Sequence, residues 1–290
     1  MRVIEGSQGE LRLSAPAKLN LWLHVTGRRD DGYHLLQTVF QLLDRGDRVV
    51  LRPRLDGGIG RSGGVPGLAV DDDLAVRAAR LLRSEAGVSA GVDIGLEKRI
   101  PAGAGFGGGS SDAATVLLGL NRLWRLDWPL HRLASLGLRL GADVPVFVAG
   151  RSAFAEGIGE TLTPLDLPER WFVLVWPGEP VATADIFQAP ELTRNTPALT
   201  ISALSGTPST RNDLQAVAIR HCPAIAEALD WLSQWGDARM SGSGSGVFVP
   251  VADEDSARSI AGASPWLAWI ARGVNVSPTH RELGLTADAR

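Results

Sequence analysis

The chain has 290 residues, of which 44% are hydrophobic and 21% charged, enough apolar surface for one large or two moderate cores and too much for a disordered chain. A formal charge of −3 without long runs of one sign argues against a broad basic surface for nucleic acid or anionic lipid and points to a small ligand. The one cysteine, Cys222, has no partner for an intrachain disulfide, the segment MRVIEGSQGELRLSAPAK lacks a long apolar core, and no later run reaches membrane length, so the expected setting is the cytoplasm.

Leu19, Leu21, Leu23 and Val25 alternate with Asn20, Trp22, His24 and Thr26, the period of a strand with two different faces, and residues 49–52 read as another. The glycine-rich stretch 56–67 reads as a loop, and apolar residues over 74–86 recur at helical spacing. Residues 92–96 predict a strand entering PAGAGFGGGSSDAA, after which Ala113, Val116, Leu117, Leu120 and Trp124 share one helical face. A second helix around 130–140 leads through GADVPVF toward a strand at 152–155.

The pattern restarts near Pro164, where a boundary between domains 1–163 and 164–290 is expected. Residues 172–176 read as a strand, followed by a stretch containing Pro and Thr that runs through Pro208. Helical spacing returns at 213–221 and 224–235, and then strand, helix and strand alternate over 247–251, 254–261 and 267–271. The expected class is α+β, with helices packed on a sheet.

The glycine run sets Gly103, Gly105, Gly107, Gly108 and Gly109 directly before a helix. Glycines permit positive φ and let backbone N–H groups approach phosphate oxygens, while a helix N-terminus adds unpaired donors and a favourable dipole. Ser110, Ser111 and Asp112 suit the cap of that helix. A flexible linker is the plain alternative, and the strand before and amphipathic helix after argue against it. Gly103, Gly105 and Gly108 also satisfy the G-x-G-x-x-G pattern of dinucleotide sites, but Asp127 follows a helix end instead of a second parallel strand. No Gly-Lys-Ser/Thr closes the run as in a Walker loop, so bound phosphates must find positive charge elsewhere.

Three segments in order, SAPAKLNLWL, PAGAGFGGGSSDAA and MSGSGSGVF, make the chain resemble the GHMP kinase superfamily of galactose, homoserine, mevalonate and phosphomevalonate kinases. GRRDDGYHLLQTVFQLLDRGD, LGADVPVF and RGVNVSPTH resemble the branch whose acceptor is a small alcohol carrying cytidine diphosphate, and the likeness runs roughly from Leu13 to Arg281. This resemblance implies a two-domain α+β kinase, its first domain ribosomal-protein-like and its second ferredoxin-like, with ATP and acceptor meeting in the cleft between them. It implies ATP as phosphoryl donor, a magnesium ion, a small-molecule cytidine-diphosphate substrate, no nucleic-acid or membrane partner, and a monomer or weak homodimer.

Carried onto this sequence, the resemblance makes Lys18 and Asp143 the catalytic pair, Asp143 as base and Lys18 as the charge beside the transferring group. Nucleotide binding falls to Lys98, to Pro101, Ala102, Ala104 and Phe106 among the glycines, and to Ser110 and Ser111, with Ser111 the candidate magnesium ligand. Substrate recognition falls to Asn20, Tyr33, His34 and Phe187, to Thr183 within the atypical VATADIF, and to the small-residue loop Ser241, Gly242, Ser243 and Gly244. His34 would pair with the cytosine edge between the rings of Tyr33 and Phe187. Asp73 stands where this branch usually has Asn, which removes an amide donor from the adenine end. Another GHMP kinase and a non-catalytic nucleotide-binding regulator are the alternatives; Tyr33-His34 argues against the first, and Lys18 with Asp143 against the second.

Overall fold

The computed structural model describes residues 9–205 and 210–285. Two long strands, β1 (Leu11–Arg28) and β2 (His34–Arg54), pair antiparallel, and the alternation at residues 19–26 is the middle of the first. β3 (Ile59–Gly63), helix α1 (Leu74–Ala86), β4 (Gly91–Glu97) and helix α2 (Gly108–Leu123) follow, then α3 (Leu130–Leu138), α4 (Val144–Ala149), β5 (Ala153–Glu156) and β6 (Thr161–Pro164). The second half consists of β7 (Trp171–Trp176), α5 (Thr183–Gln188), α6 (Gln215–His221), α7 (Ala224–Ser233), β8 (Arg239–Met240), β9 (Val247–Val251), α8 (Glu254–Ala263), β10 (Leu267–Val274) and α9 (Pro278–Glu282).

β2 is the strand on which the others depend. Its C-terminal half pairs with β4, its N-terminal half with β5, and Leu42 and Leu43 with the end of β10. Through β10 the sheet continues into β7, β9 and β8, so the described strands form one ten-stranded sheet shared by both halves. Helices α1 to α4 cover the first half in a core that includes Leu51, Leu82, Ile94, Leu117 and Phe147. Helices α6 to α8 bury a second core with Val173, Val249, Ile225 and Leu232, to which β1 contributes Leu23 and Val25. A third cluster joins Ala17 and Leu19 of β1 to Phe106, Phe172, Leu174 and Phe248 at the seam.

The stretch 56–67 is not wholly a loop: β3 runs parallel to β4 from Ile59 to Gly63. The two glycines of β3 leave little alternation of side chains to read, and the strand is held by pairing to β4, by Ile59 against the core and by Arg61 on Asp73. GADVPVF folds as α4 instead of leading straight to a strand; Pro145 occupies the first turn, where the missing N–H costs nothing. The Pro- and Thr-containing stretch carries α5, and its end at Pro208 lies outside the described residues. Among the described residues no helix is long and apolar enough to cross a membrane.

The chain end returns to the first half. Thr279 Oγ1 donates to the Ser14 carbonyl at 2.6 Å, Ser14 Oγ to Glu282 at 2.7 Å, and the His280 ring bonds the Val148 carbonyl at 2.9 Å. Leu117, fully buried in α2 beneath the sheet, is a stringent test of the first core. Leu117→Ala is expected to lower stability by about 2–5 kcal/mol, read as a shift of the urea midpoint.

Candidate active site

Register irregularities in β1 fall between Pro16 and Lys18 and between Asn20 and Leu23, leaving 18–20 as a short regular run between two bends. Such irregularities re-aim side chains. Lys18 and Asn20, two apart, share one face of the strand, and Lys18 Nζ donates to Asn20 Oδ1. The Lys18 side chain is 3% exposed, and its ammonium also donates to the Gly105 carbonyl at 3.0 Å and faces Asp143 Oδ2 at 3.3 Å. Asn20 is fixed in turn: its amide donates to Thr38 Oγ1 at 2.9 Å, and its backbone N–H donates to Ser241 Oγ at 3.1 Å.

Gly103, Gly105 and Gly107 adopt φ of 71°, 74° and 77° at every second position of the loop before α2. A side chain at Gly105 would place its Cβ 2.2 Å from the Ser241 carbonyl oxygen, so glycine is required there by contact as well as by φ. The loop carbonyls are all engaged from behind. Gly103 O accepts from Ser245 N at 3.3 Å, Ala104 O from Gly246 N at 3.0 Å, Gly105 O from Ser241 Oγ at 3.0 Å, and Phe106 O from Lys18 N at 3.0 Å. The N–H groups of 103–107 donate to no protein carbonyl among the described residues. Together with the first turn of α2 they form a concave set of free donors suited to phosphate oxygens.

Asp143 stands at the N-terminus of α4 without capping it, so its carboxylate, 35% exposed, is available to the cleft and to Lys18. The loop 241–246 closes the same junction. Asn212 donates to the carbonyls of Met240 at 2.9 Å and Gly242 at 2.8 Å, and Thr183 Oγ1 meets Ser243 Oγ at 2.7 Å. The cleft they bound encloses about 970 Å³.

At its far end the buried His34 ring lies 5.1 Å from that of Phe187, inclined by 31°. Burial, then the charges of Arg194 and Arg28, hold His34 below the ordinary histidine value, which favours the neutral ring. Tyr33 is 60% exposed at the rim. Apolar surface, a neutral imidazole and a free aromatic ring make this recess suitable for a flat heterocycle.

Lys98 lines the cleft beside the glycine loop but is bonded to Asp47 and Asp112. Burial works against its charge, and Asp112 and Asp47 outweigh it to hold the ammonium above the ordinary lysine value. Asp47 also accepts the N–H groups of Arg99 and Ile100, tying the end of β4 to the loop. Ser111 is fully buried on the inward face of α2 and does not line the cleft, whereas Ser110 and Asp112 do. Its position one residue along the first turn rotates the hydroxyl away from the loop. Ser241 likewise lies beneath the cleft wall, bridging β1 to the glycine loop.

The profile of the GHMP kinases N terminal domain matches residues 73–151 and that of the GHMP kinases C terminal domain matches residues 191–263. The 4-diphosphocytidyl-2-C-methyl-D-erythritol kinase of Thiobacillus denitrificans is 57% identical over 268 residues, covering 92% of this chain and 96% of the relative. The kinase of that name from Aromatoleum aromaticum is 54% identical over 272 residues, 93% of this chain and 95% of its own. The chain belongs to the 4-diphosphocytidyl-2-C-methyl-D-erythritol kinase family, within the GHMP kinases. A crystal structure of a 4-(cytidine 5'-diphospho)-2C-methyl-D-erythritol kinase, 39% identical, superimposes with a TM-score of 0.79 over 91% of this chain and 100% of its own. The fold expected from the resemblance is therefore the fold observed.

Arg194 and Asn212 lie outside the quoted family segments, and Thr38 and Asp47 fall within GRRDDGYHLLQTVFQLLDRGD without a site role assigned to them; all four hold other residues of the site in place. Asn212 lies just before the helix region read at 213–221, and its side chain accepts from Leu214 N at 3.0 Å in a turn that leads into α6.

Burial lifts the Asp112 carboxyl, Lys98 draws it down and Asp47 lifts it again, leaving it at about 7. A carboxyl raised on folding stays protonated while the unfolded chain has ionised, so stability falls as pH rises from about 4 to about 7. Asp112→Asn is expected to flatten that slope, measured as urea midpoints across the window.

Proposed function

We propose that the chain transfers the γ-phosphoryl group of ATP to the 2-hydroxyl of 4-diphosphocytidyl-2-C-methyl-D-erythritol, giving the 2-phosphate and ADP in the non-mevalonate route to isoprenoid precursors. The observation that carries this reading is the 3.3 Å approach of Lys18 Nζ to Asp143 Oδ2, where the glycine loop meets the recess of His34 and Phe187. The residues bring a phosphate cradle, a carboxylate and a base-sized aromatic recess into one cleft, the three features this reaction needs. The single cysteine without a disulfide partner accords with a cytoplasmic enzyme.

In this reading the free N–H groups of 103–107 and the start of α2 bind the nucleotide phosphates, and the Gly242–Gly244 turn flanks the acceptor diphosphate. Asp143 accepts the proton of the acceptor hydroxyl as its oxygen attacks the γ-phosphorus, the bond from phosphorus to the bridging oxygen breaks, and ADP leaves. Lys18, fixed by Asn20 and the Gly105 carbonyl, stabilises charge on the transferring oxygens. His34 and the rings of Phe187 and Tyr33 hold the cytosine.

Magnesium needs only one or two protein oxygens when phosphates and water supply the rest. The cleft offers Ser110 for this, and among the described residues no preformed acidic cage exists, an arrangement that fits an ion arriving with its nucleotide. The ion would neutralise phosphate charge when bound.

Supplied with magnesium-ATP and this acceptor, the purified protein is expected to yield ADP and the 2-phosphate; turnover of homoserine or mevalonate alone contradicts the reading. Asp143→Asn is expected to lower kcat by roughly 10²–10⁴-fold while leaving most ATP affinity, checked by steady-state kinetics and nucleotide titration. His34→Ala is expected to weaken acceptor binding by about 1–3 kcal/mol, on the scale of a lost base-edge contact, with ATP binding little changed.

A further inference from the structure

Arg194 has five N–H donors, and the structure directs all of them. Nη2 donates to the carbonyls of Phe187 at 3.0 Å and Ala189 at 2.7 Å, Nη1 to those of Leu192 at 3.0 Å and Pro190 at 3.4 Å, and Nε to His34 Nε2 at 3.0 Å. One side chain therefore ties together the two aromatic walls of the base recess, Phe187 through its carbonyl and His34 through its ring.

The contact with His34 has a direction. A guanidinium only donates and does not lose its proton in proteins, so the nitrogen facing it must offer a lone pair. Nε2 is consequently bare, and a neutral ring must carry its hydrogen on Nδ1, the nitrogen left for a ligand. The charged groups facing the ring are Arg194 and Arg28, and burial together with both of them disfavours the imidazolium.

We propose that Arg194 is a positioning residue that locks His34 in the Nδ1–H tautomer, so that the ring offers a donor to the base of the acceptor substrate. This rests on the assignment of the recess to cytosine made above. Unprotonated cytosine N3 accepts such a donor, whereas uracil carries a hydrogen on N3 and would oppose donor to donor, so the locked tautomer selects cytidine over uridine. Acid that protonates His34 places a second cation against Arg194, and the acceptor KM is expected to rise as pH falls.

The test begins without substrate. Nitrogen-15 spectra of the histidine rings, with His34 assigned by its loss in His34→Asn, are expected to show Nε2 unprotonated and Nδ1 protonated at pH 7. An Nε2–H tautomer or a charged ring overturns the proposal. Arg194→Gln replaces a donor-only group with an amide that can donate or accept and removes the positive charge. It is expected to give a mixed His34 tautomer and shift the acid limb of acceptor KM to higher pH. Discrimination between cytidine- and uridine-linked acceptors should fall by roughly tenfold, the worth of one hydrogen bond to a base. Arg194→Lys, donor-only and charged, should retain more of that discrimination than Gln. A folded Arg194→Gln protein with unaltered spectra and discrimination overturns the role of Arg194. If the spectra show the Nδ1–H form but no cytidine-linked acceptor is used, the tautomer lock stands and the functional reading fails.

Discussion

The site depends on the orientation of four peptide units. Positive φ at Gly103, Gly105 and Gly107 turns the loop carbonyls toward β1 and the loop 241–246, where N–H and O–H donors hold them. Had those carbonyls faced the cleft, they would repel phosphate; engaged behind, they leave the amide edges free for anions. Because donors for this arrangement come from β1 on one side of the loop and from residues 241–246, far along the chain, on the other, the cradle exists only once both halves of the sheet are joined. The cradle is thus built at the seam, where Leu19, Phe106, Phe172 and Phe248 pack together.

The same junction solves the problem of burying a cation. An ammonium has three donors, and that of Lys18 finds Asn20 Oδ1, the Gly105 carbonyl and Asp143 Oδ2. Two of these acceptors are neutral and one is charged, so the charge is balanced only by a carboxylate that remains partly open to the cleft. A fully buried, fully paired couple would have its electrostatics spent on itself. Here Asp143 stays accessible because α4 does not use it as a cap, and the other two partners of Lys18 carry no net charge. Lys98 illustrates the opposite outcome, enclosed between Asp47 and Asp112, and its placement suits holding the loop more than meeting phosphate directly.

Much of the fold could be read from residue spacing. α1 occupies 74–86 and α2 follows the glycine run because both bury one apolar stripe, and β7, β9 and β10 are dense in apolar residues. β3 escaped because its two glycines leave little alternation of side chains to read, and α5 because Pro and Thr around it mask six helical residues. The candidate site divides the same way. Residues that face the cleft carry family motifs, but Arg194, Asn212 and Asp47 act on backbone carbonyls, amides and a ring nitrogen brought near by the fold. No local pattern announces a side chain whose partner lies 160 positions off, as His34 does from Arg194.

Asp73 shows how a departure from a family pattern can be neutral in electrostatic terms. A carboxylate at the adenine end of a nucleotide cleft would add negative charge near a polyanionic ligand and forfeit the amide donor of Asn. Neither oxygen faces this problem uncompensated: Oδ1 accepts from Ala75 N at 2.9 Å as the cap of α1, and Oδ2 pairs with Arg61 at 2.8 Å. Arg61 in turn donates to the Leu68 carbonyl at 3.0 Å, fixing the segment that brings Val65 and Leu68 onto the cleft wall. The local charge is thereby balanced within a buried pair, and beside it the cleft wall carries the apolar side chains of Val65, Leu68 and Leu74. If the nucleotide base lies here, as the resemblance implies, shape and stacking area would govern its recognition more than a side-chain amide, with Arg61 the residue that balances the Asp73 charge beside an anionic ligand.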